Sequence, residues 1–404
     1  MEFKVNQISS NQISRAGTLS TNHGQVSTPA FLPVATQASV KSLASHEIVQ
    51  LGAEMLLSNA YHLYLRPGLE IIQHAGGLHE FMSWNAPILT DSGGFQIYSL
   101  GKLMRVSENG VQFKSHIDGS SHFMSPEDCM LIQATLGADI IMPLDHCLPH
   151  DSDTLDIKRS VTRTYQWAIR AKQNQTDPNQ SLFGIVQGGT SIPLRREAVD
   201  SITSLDFPGY AIGGLSVGES AHLMYTTLEA TTELLPFDKP RYLMGVGSPE
   251  HLIKGVLLGI DLFDCVFPTR LARNGSLFTS QGRINVRNLQ FKTNLDPIDG
   301  ACVCLVCTTY SLSYINHLFR SHELLGYRLA TIHNLNFILR LMENLRAAIA
   351  TDTLVEYSNR FLDSYATRLA SKLLYLDNLT AILASCNDHF SHIEWQLQIP
   401  HEVR

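Results

Sequence analysis

The chain has 404 residues, 44% of them hydrophobic and 17% charged, with a formal net charge of -7. That length can bury a large core as one big domain or two ordinary ones. The acidic balance excludes a generally basic nucleic-acid coat protein, so any contact with nucleic acid must come from a local patch.

No run of about 18 apolar residues occurs, so no membrane span is expected. Residues 1–10 lack the basic start and apolar core of a secretory leader. Residues 1–28 alternate weakly and contain Asn22-His23-Gly24, a turn signal, which predicts a small hairpin. Short apolar runs then recur, each ending in small, polar or acidic residues. They start at Ala30, Glu54, Ile88, Ile140, Leu182, Tyr210, Tyr242 and Leu262 and end at Val34, Ser58, Asp91, Asp145, Gln187, Gly214, Val246 and Asp264. Stretches with helical spacing, such as 40–51 and 126–136, separate most of them. Eight βα units predict a (β/α)8 TIM barrel, with a doubly wound open sheet as the alternative.

Two connections exceed that repeat. Residues 100–125 carry Glu108-Asn-Gly110 and Asp118-Gly119, which punctuate short alternating segments and predict an inserted antiparallel hairpin. A second insertion, at about 285–350, holds a cysteine cluster and a long helical pattern over 311–350. Residues 354–380 read as the barrel's last helix and about 382–404 as a C-terminal tail without an interpretable signal. The whole of 1–404 is expected to be a single catalytic domain.

Cys302-x-Cys304-x2-Cys307, with His333 downstream, offers three thiolates and an imidazole. That set matches a closed tetrahedral Zn2+ site, one per subunit and structural, because no position is left for an activated water. An odd, clustered set of seven cysteines suits a reducing compartment, and the expected location is cytoplasmic.

The last apolar run reads Asp261-Leu-Phe-Asp264-Cys-Val-Phe-Pro-Thr-Arg270. A buried strand delivering a carboxylate at its C-terminal end is how a parallel barrel presents a reactive group. Asp264 is the candidate nucleophile, with Arg270 and Arg273 beyond it to hold a phosphate-bearing substrate. In Thr90-Asp-Ser-Gly-Gly-Phe-Gln96, Asp91 is a candidate general acid/base and the glycines let backbone approach a ligand. Asp145 has two acceptor oxygens for a guanine-like edge. Gln187 adds a donor and an acceptor, and Gly213-Gly214 add unhindered backbone groups. Phe95 and Met244 are candidates to close on the two faces of a flat ring.

These motifs, together with Ser115-His-Ile-Asp-Gly119, Gly184-Ile-Val-Gln-Gly188 and Gly213-Gly-Leu-Ser-Val-Gly-Glu219, resemble the bacterial-type tRNA-guanine transglycosylases, or queuine tRNA-ribosyltransferases. The likeness runs from about residue 15 to about residue 380. It implies an irregular (β/α)8 barrel with a zinc-bearing insertion. It further implies exchange of the wobble guanine in GUN-anticodon tRNAs (those for aspartate, asparagine, histidine and tyrosine) for a 7-deazaguanine base, in queuosine biosynthesis. By that resemblance Asp264 attacks the ribose anomeric carbon, and Asp91 is the general acid/base and a base contact. Asp145, Gln187, Gly214 and Leu215 bind the base, with Phe95 and Met244 on its ring. Arg270 and Arg273 grip the anticodon loop. A homodimer through the zinc subdomain is implied, with Tyr310, Tyr314 and His317 near the interface. One position departs from the pattern: His146 stands where members commonly carry an acidic residue.

For the incoming base the sequence favours 7-aminomethyl-7-deazaguanine (preQ1), with queuine as the alternative. Val217 is β-branched and fills the space a cyclopentenediol needs, whereas queuine-using relatives tend to have glycine there. Two other readings compete. A glycoside hydrolase on the same barrel is disfavoured by the zinc insertion and the guanine-shaped acceptors. A non-catalytic RNA-binding subunit is disfavoured by the presence of Asp91, Asp145 and Asp264 together.

Overall fold

The computed structural model describes residues 1–99 and 104–365. Its centre is made of short parallel strands in two five-stranded sheets. One sheet orders Ser181–Leu182, Ile140–Ile141, Ile88–Asp91, Leu56–Asn59 and Val34–Ala35; the other orders Gly184–Val186, Tyr210–Ile212, Arg241–Leu243, Leu262–Asp264 and Ala30–Leu32. Every neighbouring pair runs parallel. The sheets are continuous along the chain at two places, because a single residue, Pro33 or Phe183, separates their members. Pro33 has no N–H to give the ladder, yet its carbonyl still accepts from Leu57 N–H at 3.1 Å. Phe183 N–H reaches Ile141 O at 3.0 Å, while the next residue, Gly184, turns its N–H to Gly209 O at 2.9 Å.

These strands are buried on both faces, which is why they read as continuous apolar runs rather than alternating ones. Successive side chains still point to opposite faces. Ala30, Leu32, Leu57, Leu89, Ile140, Ile185, Ala211, Tyr242 and Leu262 form one cluster, together with Leu19 and Val26. Their chain neighbours, such as Phe31, Leu56, Ile88, Ile141, Val186, Ile212, Leu243 and Phe263, join the larger core shared with the helices.

The helices start and stop where local chemistry dictates. Pro126–Leu136 matches the sequence reading residue for residue. Ser125 and Asp128 form a reciprocal cap, Pro126 takes the first turn, and Gly137 at φ 73° ends it. Asp153 caps Thr154–Asn174 by accepting from Asp156 N–H. The stretch 40–51 is helical only over Ser45–Gln50, because Ser42 adopts φ 78°, outside helical space. The pattern over 311–350 is two helices, Leu312–Arg320 and Leu324–Ala350, parted at His322, whose φ is 57°. Helix resumes over 354–365, and the remainder of the expected last helix and the tail lie outside the described residues.

The N-terminal segment is larger than a hairpin. Glu2–Ile8, Arg15–Thr21 and Gly24–Thr28 form a three-stranded antiparallel sheet whose second turn is the Asn22-His23 signal. Likewise the first insertion has three strands, Met104–Ser107, Gly110–Lys114 and Ser121–Met124, with turns at both expected places. Among the described residues, no helix is long and apolar enough to cross a membrane.

One buried ion pair ties the N-terminal sheet to the parallel strands. Arg15 Nε and Nη2 meet Asp261 Oδ1 and Oδ2 at 3.0 and 2.6 Å, with both side chains wholly buried. Asp261 also accepts Arg241 N–H at 2.7 Å. Removing one partner of such a pair strands the other charge in a dry interior. Arg15→Ala should therefore destabilise the protein by about 3–5 kcal/mol, read as a lowered midpoint in equilibrium denaturation; a loss below about 1 kcal/mol, the range of a solvated pair, would contradict this.

Candidate active site and metal cluster

The period of two that sorts the core also builds the site. Leu57, Leu89, Ile185, Tyr242 and Leu262 share one face. The residues two positions on, at or just past the C-terminal ends of those strands, are Asn59, Asp91, Gln187, Met244 and Asp264. All five line one cavity of about 300 Å³. Phe95, Asp145, Cys147, Gly214, Leu215 and Val217 complete the part that matters here. Every residue read from sequence as catalytic or base-binding is thus brought together.

Asp264 is oriented by two donors to a single oxygen. Tyr242 hydroxyl and Gly245 N–H reach Oδ1 at 2.5 and 2.9 Å. Among the described residues no donor reaches Oδ2. Burial raises the Asp264 pKa, and the hydrogen bonds from Tyr242 and Gly245 oppose that rise.

Asp91 receives Asn59 Nδ2 at Oδ2, 2.5 Å, and Ala60 N–H at Oδ1, 3.1 Å. Its pKa is pushed up to about 8, first by burial, with the negative charges of Asp264 and Asp145 adding to the shift. At neutral pH it therefore holds a proton it can give. Asp145, also buried, rises to about 6, with hydrogen bonds from Gln187 and Ser92 working against the burial. Gln187 Nε2 lies 2.6 Å from its Oδ2 and Ser92 Oγ 3.3 Å from its Oδ1. Asp145 does not end a strand as the sequence suggested. Pairing stops at Ile141, because Gln133 takes both backbone groups of Met142, at 2.9 and 2.7 Å, and Pro143 has no N–H.

The wall at 214–217 is fixed by Glu219, whose carboxylate accepts the N–H groups of Ser216 and Val217. His146 turns away from the cavity. Its Nδ1 sits 2.9 Å from Arg163 Nη1, and its backbone is held by Thr164 and Ser160. Burial and the Arg163 charge lower its pKa to about 4, so it stands as a neutral acceptor for Arg163. Tyr242 and Asn59 are the functional side chains that sequence reading missed. Each sits two residues from an apolar neighbour on the cavity face, a signal available only once strand faces are assigned.

Arg270 and Arg273 do not line the cavity. They lie on Phe267–Arg273, the short helix that starts just past Asp264. Arg270 is exposed; Arg273 is half-buried, and burial and then the Arg270 charge lower its pKa.

Cys302, Cys304, Cys307 and His333 form a cluster able to hold a metal ion. The three sulfurs stand 4.0, 3.6 and 3.3 Å from His333 Nδ1. A tetrahedral ion with bonds of about 2.3 Å to sulfur and about 2.1 Å to nitrogen separates those atoms by about 3.6 Å. His333 Nε2 lies 2.7 Å from Phe278 O, which fixes the proton on Nε2 and leaves the Nδ1 lone pair facing the sulfurs. The residues therefore fit the ion. Nearby, the Tyr310 and Tyr314 rings stack at 5.4 Å, and Tyr314 and His317 are exposed.

A family model described as queuine tRNA-ribosyltransferase matches residues 10–367. A queuine tRNA-ribosyltransferase of Caldanaerobacter subterraneus is 53% identical over 353 residues, covering 87% of this chain and 94% of that relative. Those of Thermoanaerobacter pseudethanolicus and Halothermothrix orenii are 51% and 52% identical, covering 90% and 89% of this chain and 98% and 96% of theirs.

The metal cluster gives a direct test. Elemental analysis of the purified chain should find one divalent ion per chain. Cys304→Ser should lose it and unfold at a lower temperature, because the ligand set is part of the folded structure. A metal-free protein of unchanged stability would rule the cluster out as a structural centre.

Proposed function

We propose a reaction course for this chain, which belongs to the queuine tRNA-ribosyltransferase family and is a tRNA-guanine transglycosylase. The carrying observation is that a nucleophile-like carboxylate, a proton-bearing carboxylate and a guanine-shaped acceptor set share one cavity. Asp264 Oδ2 attacks the anomeric carbon of the wobble ribose. The bond to guanine breaks, and the guanine leaves with the proton of Asp91. A 7-deazaguanine base then enters and returns a proton to Asp91. Its ring nitrogen displaces Asp264, so two displacements at one carbon retain its configuration, as in a retaining glycosidase. Asp145 accepts the ring N–H and exocyclic amine of either base, Gln187 and the 214–215 backbone serve its other polar edge, and Phe95 and Met244 flank the ring. The target nucleotide must leave its stack to reach this depth, which an unpaired anticodon loop permits. Arg270 and Arg273 hold the adjacent phosphates.

The same reading extends to the rest of the molecule. The two sheets, joined through Pro33 and Phe183, are proposed as one closed eight-stranded barrel. In support, one buried cluster draws a residue from each of the eight runs. Residues 1–404 then form one catalytic domain, with a structural Zn2+ in the insertion and a homodimer built on the surface of Tyr310, Tyr314 and His317. The proposed setting is the cytoplasm, and the tRNAs are those with GUN anticodons. For the incoming base we favour preQ1 over the queuine in the relatives' name. Val217 and Cys147 both line the cavity wall, and the β-branched Val217 narrows it.

Exchange of labelled guanine into unmodified tRNA tests the reaction. Wild type should be active, should form a trapped covalent tRNA adduct, and should lose kcat/KM as pH rises past about 8, where Asp91 gives up its proton. Asp264→Asn should form no adduct and lose at least about a thousandfold in rate. Wild-type turnover by that variant would sink the nucleophile assignment.

Competing preQ1 against queuine for the same labelled tRNA tests the base. The preQ1 base should win, and Val217→Gly should improve queuine. Efficient queuine incorporation with Val217 intact would reverse the choice.

A further inference from the structure

We propose that His23, His79 and Asp139 form a second metal site, for a divalent first-row transition ion, at the end of the strands opposite the cavity. The three come from separate places. His23 is in the turn between Arg15–Thr21 and Gly24–Thr28, His79 is in the first turn of the helix Leu78–Met82, and Asp139 directly precedes Ile140–Ile141. Their ligand atoms all lie within 4.8 Å of one another.

The spacing is that of a coordination shell. His23 Nδ1 is 2.9 Å from Asp139 Oδ1, and His79 Nε2 is 3.3 Å from Asp139 Oδ2. Ligand atoms at bonds of about 2.1 Å stand about 3.0 Å apart at a right angle and about 3.4 Å apart at a tetrahedral one. The two imidazoles stack at 3.6 Å with planes 17° apart, and a nitrogen of each approaches the one Asp139 carboxylate.

A second observation points to a ligand. His79 Nε2 is shielded from solvent yet makes no hydrogen bond of acceptable geometry, despite its nearness to Asp139. Buried ring nitrogens are ordinarily partnered, and an ion between the rings and the carboxylate would partner this one. Asp139 is itself almost fully buried and is steadied by Ile88 N–H at 2.9 Å and His23 N–H at 3.3 Å.

Two imidazoles and one carboxylate select an ion such as Zn2+, Ni2+ or Co2+ over Mg2+ or Ca2+, which take oxygen ligands. The His23 side chain is 42% exposed, so water can complete the shell. The site shares no residue with the Cys302–His333 cluster. It is also remote from the chemistry: Asp139 N–H pairs with Ile88 O, at the start of the strand whose far end is Asp91, about 10 Å away at about 3.3 Å per residue. An ion there would pin the N-terminal sheet to the start of two parallel strands, a stabilising rather than a catalytic role.

The test is calorimetric titration of the tag-free full chain, carrying its cysteine-bound ion, with Ni2+ and separately with Mg2+. One additional equivalent of Ni2+ should bind with a dissociation constant of order 10 μM or tighter and raise the melting temperature, while Mg2+ should not bind. His23→Ala, in a surface turn, and His79→Gln should each weaken Ni2+ by at least about tenfold and leave guanine exchange unchanged. No further equivalent below about a millimolar, equal binding of Mg2+, or undiminished Ni2+ binding in both variants would overturn the proposal.

Discussion

Two-sided burial of the parallel strands is the constraint on which the rest of the molecule depends. A strand with both faces dry has nowhere along its length to place a charge. Polar side chains are admitted only where the strand ends, and the period of two then decides which face they take. Leu89 and Leu262 face the same way, so Asp91 and Asp264, two residues on, must converge. Asn59, Gln187 and Met244 follow by the same rule from Leu57, Ile185 and Tyr242. Arg15 and Asp261 are the exception that fits: at the opposite ends of the strands, a charge is tolerated because it meets its counter-ion at 2.6 Å.

Convergence creates an electrostatic problem that becomes the chemistry. Three carboxylates in one small, dry cavity do not all ionise comfortably. Each of them receives two donors. Asp264 takes a phenol and a backbone N–H on one oxygen, and Asp145 takes an amide and a hydroxyl. Hydrogen bonds to a charged group are worth about 1.5–3 kcal/mol each, and in both residues they oppose the rise that burial causes. Asp91 takes an amide and a backbone N–H, yet burial first, and then the charges of Asp264 and Asp145, push it up to about 8. The difference in acidity between Asp91 and Asp145 therefore comes from their surroundings, not from the residue type.

What could be read from sequence follows the same division. The apolar runs and their polar ends were legible because burial leaves continuous hydrophobic signatures, so Asp91, Gln187 and Asp264 were found at strand ends. The cysteine spacing was legible because three of the four ligands happen to fall within six residues, 302–307. Tyr242 was not, since a tyrosine inside an apolar run is indistinguishable from core until its hydroxyl is seen on Asp264. Asp145 reads as a strand end because the apolar run from Ile140 to Asp145 says nothing of Gln133, a helix residue that usurps the ladder at Met142. The break at His322 was equally hidden: helical spacing continues across it, and only the backbone angle reveals the turn.

The metal cluster and the active site are joined more directly than their separation in the chain suggests. His333 and Asn334 are consecutive on the helix Leu324–Ala350 and anchor adjacent structure. His333 Nε2 meets Phe278 O at 2.7 Å, and Asn334 Oδ1 accepts Phe278 N–H at 3.1 Å. Asn334 Nδ2 donates to Pro268 O and to Ser276 O, each at 3.0 Å. Pro268 lies in the helix that carries Arg270 and Arg273 and begins just past Asp264. One of these four hydrogen bonds thus holds that helix, and the other three hold Ser276 and Phe278 just beyond it, against the metal-bearing insertion. An ion that fixes the His333 ring also fixes the frame from which Asn334 holds Pro268. The cluster can thereby bear on the placement of the short helix that follows Asp264 without lining the cavity.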